Sequence, residues 1–156
     1  METQATSKDE DVIRDLEELE FLVLKVPSLI PVELIELVKG RTFTTEQFYN
    51  YQAKQIKNEN PGNFLYALID KEKIIHGFLW CELNALDGSL FVNTFSISKK
   101  FWHKGKILPK VIEFLKELKK KVKAPAVLWC TTNEKFFQKQ GFKRSKIALM
   151  EYKFPD

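Results

Sequence analysis

Phe95-Ser96-Ile97-Ser98-Lys99-Lys100-Phe101-Trp102-His103-Lys104-Gly105-Lys106-Ile107 is the stretch in which the chain turns from strand to helix. Aromatic and β-branched residues run up to Ile97, and a basic turn with one glycine follows. Beyond it Leu108, Val111, Ile112, Leu115, Leu118 and Val122 recur at helical spacing, a single apolar stripe. Pro109 is tolerated in the first turn of such a helix, where its missing N–H has no partner to lose. The free N–H groups and positive dipole end of a helix N-terminus suit an anion. Gly105 allows close backbone approach, and Lys104 and Lys106 add charge. Those residues are equally consistent with a capped helix and a solvated basic turn.

Before this stretch, Phe64–Ile69, Ile74–Asn84 and Ser89–Ser98 are rich in aromatic and β-branched residues. They are separated by Asp70–Lys73 and by Ala85–Gly88, whose Asp87-Gly88 pair signals a hairpin. Three consecutive antiparallel strands are expected. After the long helix, Pro125 restarts the chain, Ala126–Thr132 reads as a buried strand, and Asn133–Gln140 reads as a short helix ended by Gly141. Ile147–Phe154 reads as a last strand.

The N-terminal third has another character. Ser7 with Glu10 forms a capping box, and Val12, Leu16, Leu19 and Val23 follow at helical spacing, which predicts a helix from about Asp9 to Lys25. Phe21–Val26 has strand propensity, but the box and the stripe together favour helix. Pro31 opens a second helix over Val32–Lys39, closed by Gly40, and the Thr44/Gln47 capping box opens a third that runs to Lys57. The expectation is one α+β domain over residues 1–156, a mixed, mostly antiparallel sheet with helices on both faces. A helical segment, 1–60, precedes the sheet and core, 61–156.

Composition narrows the class. A 156-residue chain with 44% hydrophobic and 13% aromatic residues has enough apolar surface to build a core, which excludes a disordered chain. No apolar run approaches the roughly 20 residues needed to cross a bilayer. The acidic N-terminus does not resemble a signal or transit peptide, so a cytoplasmic protein with no membrane partner is expected. Cys81 and Cys130 belong to no ligand pattern and read as reduced core thiols, with no metal site. Residues 1–20 hold eight acids against Lys8 and Arg14, a net −6, which leaves +10 for the rest of a chain whose total is +4. One reading of that split is a homo-oligomer in which the acidic face docks on the lysines of another copy.

The order strand, turn, helix, strand, helix, strand over Phe64–Tyr152 resembles the GCN5-related N-acetyltransferase (GNAT) superfamily. Trp102-His103-Lys104-Gly105-Lys106-Ile107 occupies the place of the superfamily's Arg/Gln-x-x-Gly-x-Gly/Ala turn, with only the central Gly105 matching. Asn133-Glu134-Lys135-Phe136-Phe137-Gln138-Lys139-Gln140-Gly141-Phe142 is similar in spacing to its C-terminal Asn, aromatic pair and Gly-Phe. The resemblance implies acetyl-coenzyme A as cosubstrate, with the amides of Trp102–Ile107 on its pyrophosphate. It implies that Asn133 and Phe136 lie along the pantetheine arm and that Ile97 offers it backbone groups. It also implies direct acyl transfer to an amine.

The departures from the superfamily concern the chemistry. Phe137 stands where many members have a proton-donating Tyr, and Leu90–Ile97 contains no carboxylate to act as base. No catalytic residue is assigned; Glu82, Cys130 and Thr131 are the nearest substitutes. The alternative function is a non-catalytic GNAT-like module that binds a protein or nucleic acid. A nucleic-acid surface has ten lysines in Lys99–Lys123 in its favour, yet no arginine, and Glu113/Lys116 and Glu117/Lys121 fit ordinary helix-surface pairing. His76 reads as structural, and His103 as a donor beside phosphate.

Overall fold

The structure is a computed structural model that describes residues 11, 14–38, 41–102, 106–131 and 134–145. The elements run α1 (residues 14–17), β1 (Glu20–Val23), α2 (Val32–Glu36), α3 (Thr45–Lys57), β2 (Asn63–Ile69), β3 (Ile75–Leu83), β4 (Leu90–Ile97), α4 (Ile107–Val122), β5 (Val127–Trp129) and α5 (Glu134–Lys139). Short 3-10 turns lie at Pro27–Leu29 and Lys99–Phe101. The strands form one sheet in chain order, antiparallel from β1 to β4 and parallel between β4 and β5. The last predicted strand, Ile147–Phe154, and the Ser7/Glu10 box lie outside the described residues.

Two cores cover the two faces. On one, Leu16, Leu19, Leu79, Cys81, Val92 and Phe101 pack with the α4 stripe, of which Ile107, Val111, Ile112, Leu115 and Leu118 are buried. On the other, Phe48 of α3 meets Phe78 and Trp80 of β3, while Leu34 and Ile35 of α2 close the layer. Ser96 Oγ donates to Leu34 O at 2.6 Å and ties α2 to β4. The Thr44/Gln47 capping box forms in both directions, and α3 ends at Lys57 as the sequence predicts.

The N-terminal segment differs from expectation. Helix stops before Leu19, and Glu20–Val23 is an edge strand paired with Ile69–Tyr66. Tertiary contacts override the local signals. Phe21 stacks on Phe114 of α4 at 4.0 Å, and Leu24 N donates to Leu65 O at 3.0 Å. A helix through Lys25 would give up both. Leu16 and Leu19 of the stripe remain buried, whereas Val23 at its end is exposed. Cys130 is also corrected: it is exposed, whereas Cys81 is buried and its thiol pushed up to about 12 by that burial.

Some of the N-terminal acids meet lysines within the chain. Lys71 pairs with Glu18 at 3.1 Å, Lys100 approaches Asp15 at 3.9 Å, and Lys110 donates to Glu17 O at 3.3 Å. On α4, Glu113 pairs with Lys116, and Glu117 with Lys120 rather than Lys121. His76 holds the β2–β3 turn through Asp70 at 2.7 Å, and this bond, followed by the Ile74 amide, lowers the Asp70 carboxyl below its usual range.

Gly77 lies opposite Ile97, and a Cβ there would meet Ser96 O at 2.6 Å and Ile97 Cα at 3.2 Å. Both atoms belong to backbone and yield little. Gly77→Ala is expected to lower stability by about 1–3 kcal/mol, as overpacking does, measured by urea denaturation.

Candidate functional site

β4 is the strand that shapes the site. Its register with β3 slips between Trp80 and Cys81: Cys81 faces Val92, Trp80 faces Thr94, and Asn93 is left as the extra residue of a bulge. A bulge bends its strand and increases local twist. On the other side, β4 pairs with β5 only through Leu90↔Val127, Phe91↔Leu128 and Val92↔Trp129. From the bulge onward no strand among the described residues covers that edge.

The free edge has defined chemistry. Ser98 N donates to His76 O, so Ser98 and, by alternation, Ser96 turn their backbone groups toward β3. Those of Phe95 and Ile97 therefore face the gap. The gap opens on a cavity of about 330 Å³ lined by Leu37, Phe95, Ser96, Ile97, Trp102, Ile107 and Leu108, a size at the small end of ligand pockets. At its closed end, Trp129 meets Phe95 and Phe137 edge-on at 6.3 and 5.0 Å, and Phe137 continues to Phe136 and Phe142. This aromatic wedge lies where the two strands part.

The structure brings Ile97, Trp102 and Ile107 of the predicted site together around this cavity. Trp102 is not a bystander: its indole N–H donates to Ile97 O at 2.9 Å, using a carbonyl turned to the gap. Ile107 is buried, and Lys106 beside it is exposed. Phe136 is half-buried against Phe137. His103, Lys104, Gly105 and Asn133 lie outside the described residues. Phe137 is 6% exposed within the aromatic wedge, a core residue with no proton to offer.

Sequence reasoning passed over Tyr51, Asn93 and Leu37. On the α3 face, Glu82 accepts hydrogen bonds on both oxygens, from Tyr51 Oη at 2.7 Å and from Asn93 Nδ2 at 2.5 Å. The sequence signal for Asn93 was its polar break in the alternation of β4. Tyr51 is an exposed residue on α3 whose role depends on where β3 lies. No group of His, Cys, Asp and Glu among the described residues is arranged to hold a metal ion. No helix among them is long and apolar enough to cross a membrane.

Comparison with known proteins places the fold. No family model matches the sequence. No curated protein matches it either. Solved structures do match. A glucosamine-6-phosphate N-acetyltransferase from Arabidopsis thaliana superposes with a TM-score of 0.65 at 15% identity, covering 86% of this chain and 97% of the other. A possible acetyltransferase from Clostridium difficile 630 gives 0.67 at 10% identity, covering 88% and 99%. AAC(6')-Iy, solved with the bisubstrate analogue CoA-S-monomethyl-acetylneamine, gives 0.63 at 8% identity, again covering 88% and 99%. The chain has the GNAT fold, at identities too low to carry an activity with it.

The phenol of Tyr51 is pushed up to about 12, by burial first and then by the hydrogen bond and charge of Glu82. Between the ordinary 10.0 and about 12 only the unfolded chain releases this proton, so the contribution to stability is full below pH 10 and lost as pH rises through that window. Glu82→Gln removes the charge and is expected to move the Tyr51 midpoint down toward 10, read from the tyrosine ring carbon shift in an NMR pH titration.

Proposed function

We propose that the chain is an acyl-coenzyme A-dependent N-acyltransferase that moves an acetyl group directly from acetyl-coenzyme A to an amine. The observation that carries this reading is the open edge of β4 from Phe95 to Ile97 beside the start of a 16-residue helix. An extended arm containing amides can add to such an edge as another strand would. The apolar lining from Phe95, Trp102, Ile107 and Leu108 suits the methylenes of pantetheine. Under this reading the turn through His103, Lys104, Gly105 and Lys106 takes the pyrophosphate, and Asn133 and Phe136 flank the arm.

The residues fit the arm on one condition. Ile97 O already accepts from Trp102, so an amide of the arm must take that carbonyl's second lone pair or displace the indole. In the reaction the amine nitrogen attacks the thioester carbonyl carbon, the C–N bond forms and the C–S bond breaks. The nitrogen's proton leaves to water and the thiolate is protonated by water, because Phe137 supplies no acid. Holding both reactants in one cleft supplies the rate without a dedicated acid.

The second reading, a non-catalytic module of the same fold that binds a protein or nucleic acid, is favoured by the Trp102–Ile97 hydrogen bond. The chain satisfies for itself part of what an arm would use.

Calorimetry with acetyl-coenzyme A separates the two. The enzyme reading expects binding in the wild type, weakened at least about 100-fold by Gly105→Glu, which sets a side chain and a negative charge against phosphate. Trp102→Phe frees Ile97 O and is expected to bind at least as tightly as wild type. No heat at millimolar ligand in the wild type overturns the enzyme reading, and binding that appears only in Trp102→Phe marks the indole as the plug.

A further inference from the structure

Across the sheet from α4, at the level where β4 leaves β5, a carboxylate meets aromatic rings. Asn93 follows the last β4–β5 pair directly, and it holds Glu82 Oε1 while Tyr51 holds Oε2. The Tyr51 ring lies 5.5 Å from that of Trp80, and Trp80 lies 6.1 Å from Phe43, edge-on. Glu82, Trp80 and Phe43 are half-buried and Tyr51 is exposed, so the group is open to a ligand from solvent.

The ring of Trp80 is held by a buried polar chain. Its indole N–H only donates, so Asn63 must turn Oδ1 toward it, at 2.8 Å. Asn63 Nδ2 then donates to Gln52 Oε1 at 3.0 Å, and Gln52 Nε2 is left buried without a partner. An unmade buried hydrogen bond costs about 1–3 kcal/mol. With its N–H committed, Trp80 has only its ring to offer a ligand. Glu82 has lone pairs beyond the two in use, and among the described residues no lysine or arginine forms an ion pair with it. That is unexpected in a chain with 25 of them.

We infer that Glu82, with the rings of Tyr51, Trp80 and Phe43, is a subsite for a primary ammonium on an aliphatic chain, and that the acceptor of the proposed reaction is a cationic amine. The carboxylate takes the N–H donors, the rings attract the charge and cover the methylenes, and Asn93 and Tyr51 keep the carboxylate in place. An anionic acceptor is repelled by the same charge. That the bound amine is the acceptor rests on the acyltransferase reading, whereas ammonium binding does not.

The test uses the full chain without coenzyme. The Trp80 indole N–H signal, assigned with Trp80→Phe, is followed by NMR as n-hexylammonium chloride or n-hexanol is added. The ammonium is expected to bind at least about 10-fold more tightly than the alcohol. Glu82→Gln, which keeps a side chain able to bond both Tyr51 and Asn93, is expected to bring the ammonium to the level of the alcohol. Tyr51→Phe is expected to weaken it by about 2–5-fold. Equal binding of the two probes, or a folded Glu82→Gln protein with unchanged affinity, overturns the subsite. Where thermal melting shows that Glu82→Gln does not fold, the two-probe comparison and Tyr51→Phe decide. Ammonium binding without acetyl-coenzyme A binding sinks the transferase reading and leaves the subsite standing; the opposite pair of results does the reverse.

Discussion

The parting of β4 from β5 after Val92 and Trp129 is the constraint from which the rest of the molecule follows. Two causes act together. The bulge at Asn93 bends β4, and edge-on contacts through Phe95, Trp129 and Phe137 fill the vertex. Backbone polar groups at a strand edge ask for partners, so an unpaired stretch beside a cavity is a place where a ligand's amides can serve. Trp102 answers part of that demand from within the chain. Among the described residues β4 therefore has both an open edge and an internal competitor for it.

The same bulge acts on the other face. By adding a residue to β4 it sets Asn93 within reach of Glu82, and α3 brings Tyr51 to the second oxygen. A capping box starts α3, and Phe48 anchors it on Phe78, so an exposed tyrosine arrives at a defined place. The cavity and the carboxylate lie on either side of one strand, positioned by one irregularity in its pairing. The acidic N-terminal segment plays a different part. Its ion pairs with Lys71 and Lys100 and the Lys110 hydrogen bond to Glu17 O tie it to the β2–β3 turn, the turn after β4 and α4, as exposed contacts that contribute little each.

Much of the architecture was legible in the sequence because it rests on periodicity and turn chemistry. The three central strands, α4 with its stripe, and α3 with its box all follow local rules that the tertiary contacts reinforce. β1 was not legible. Its residues carry a helical stripe, and only contacts far along the chain, the pairing with β2 and the stacking of Phe21 on Phe114, 93 positions later, make strand the better choice. Cys130 read as core by residue type, but β5 ends at Trp129 and leaves it exposed. Of the residues that the resemblance pointed to, Ile97, Trp102 and Ile107 meet around one cavity. Tyr51 and Asn93 were not legible, since their meaning is a contact with Glu82 across 31 and 11 residues.

By itself, the sequence determined which segments alternate, which carry a stripe, where helices begin, and that a glycine-bearing basic turn precedes the longest helix. Those are consequences of side-chain size, β-branching and capping, all of which act within a few residues. Only the tertiary structure decided that β4 and β5 separate, that Trp102 spends its N–H on Ile97, and that Glu82 is held between Tyr51 and Asn93 with no ion pair to a lysine or arginine among the described residues. These depend on strand register and on side chains meeting across the fold, and a one-residue bulge is enough to change both.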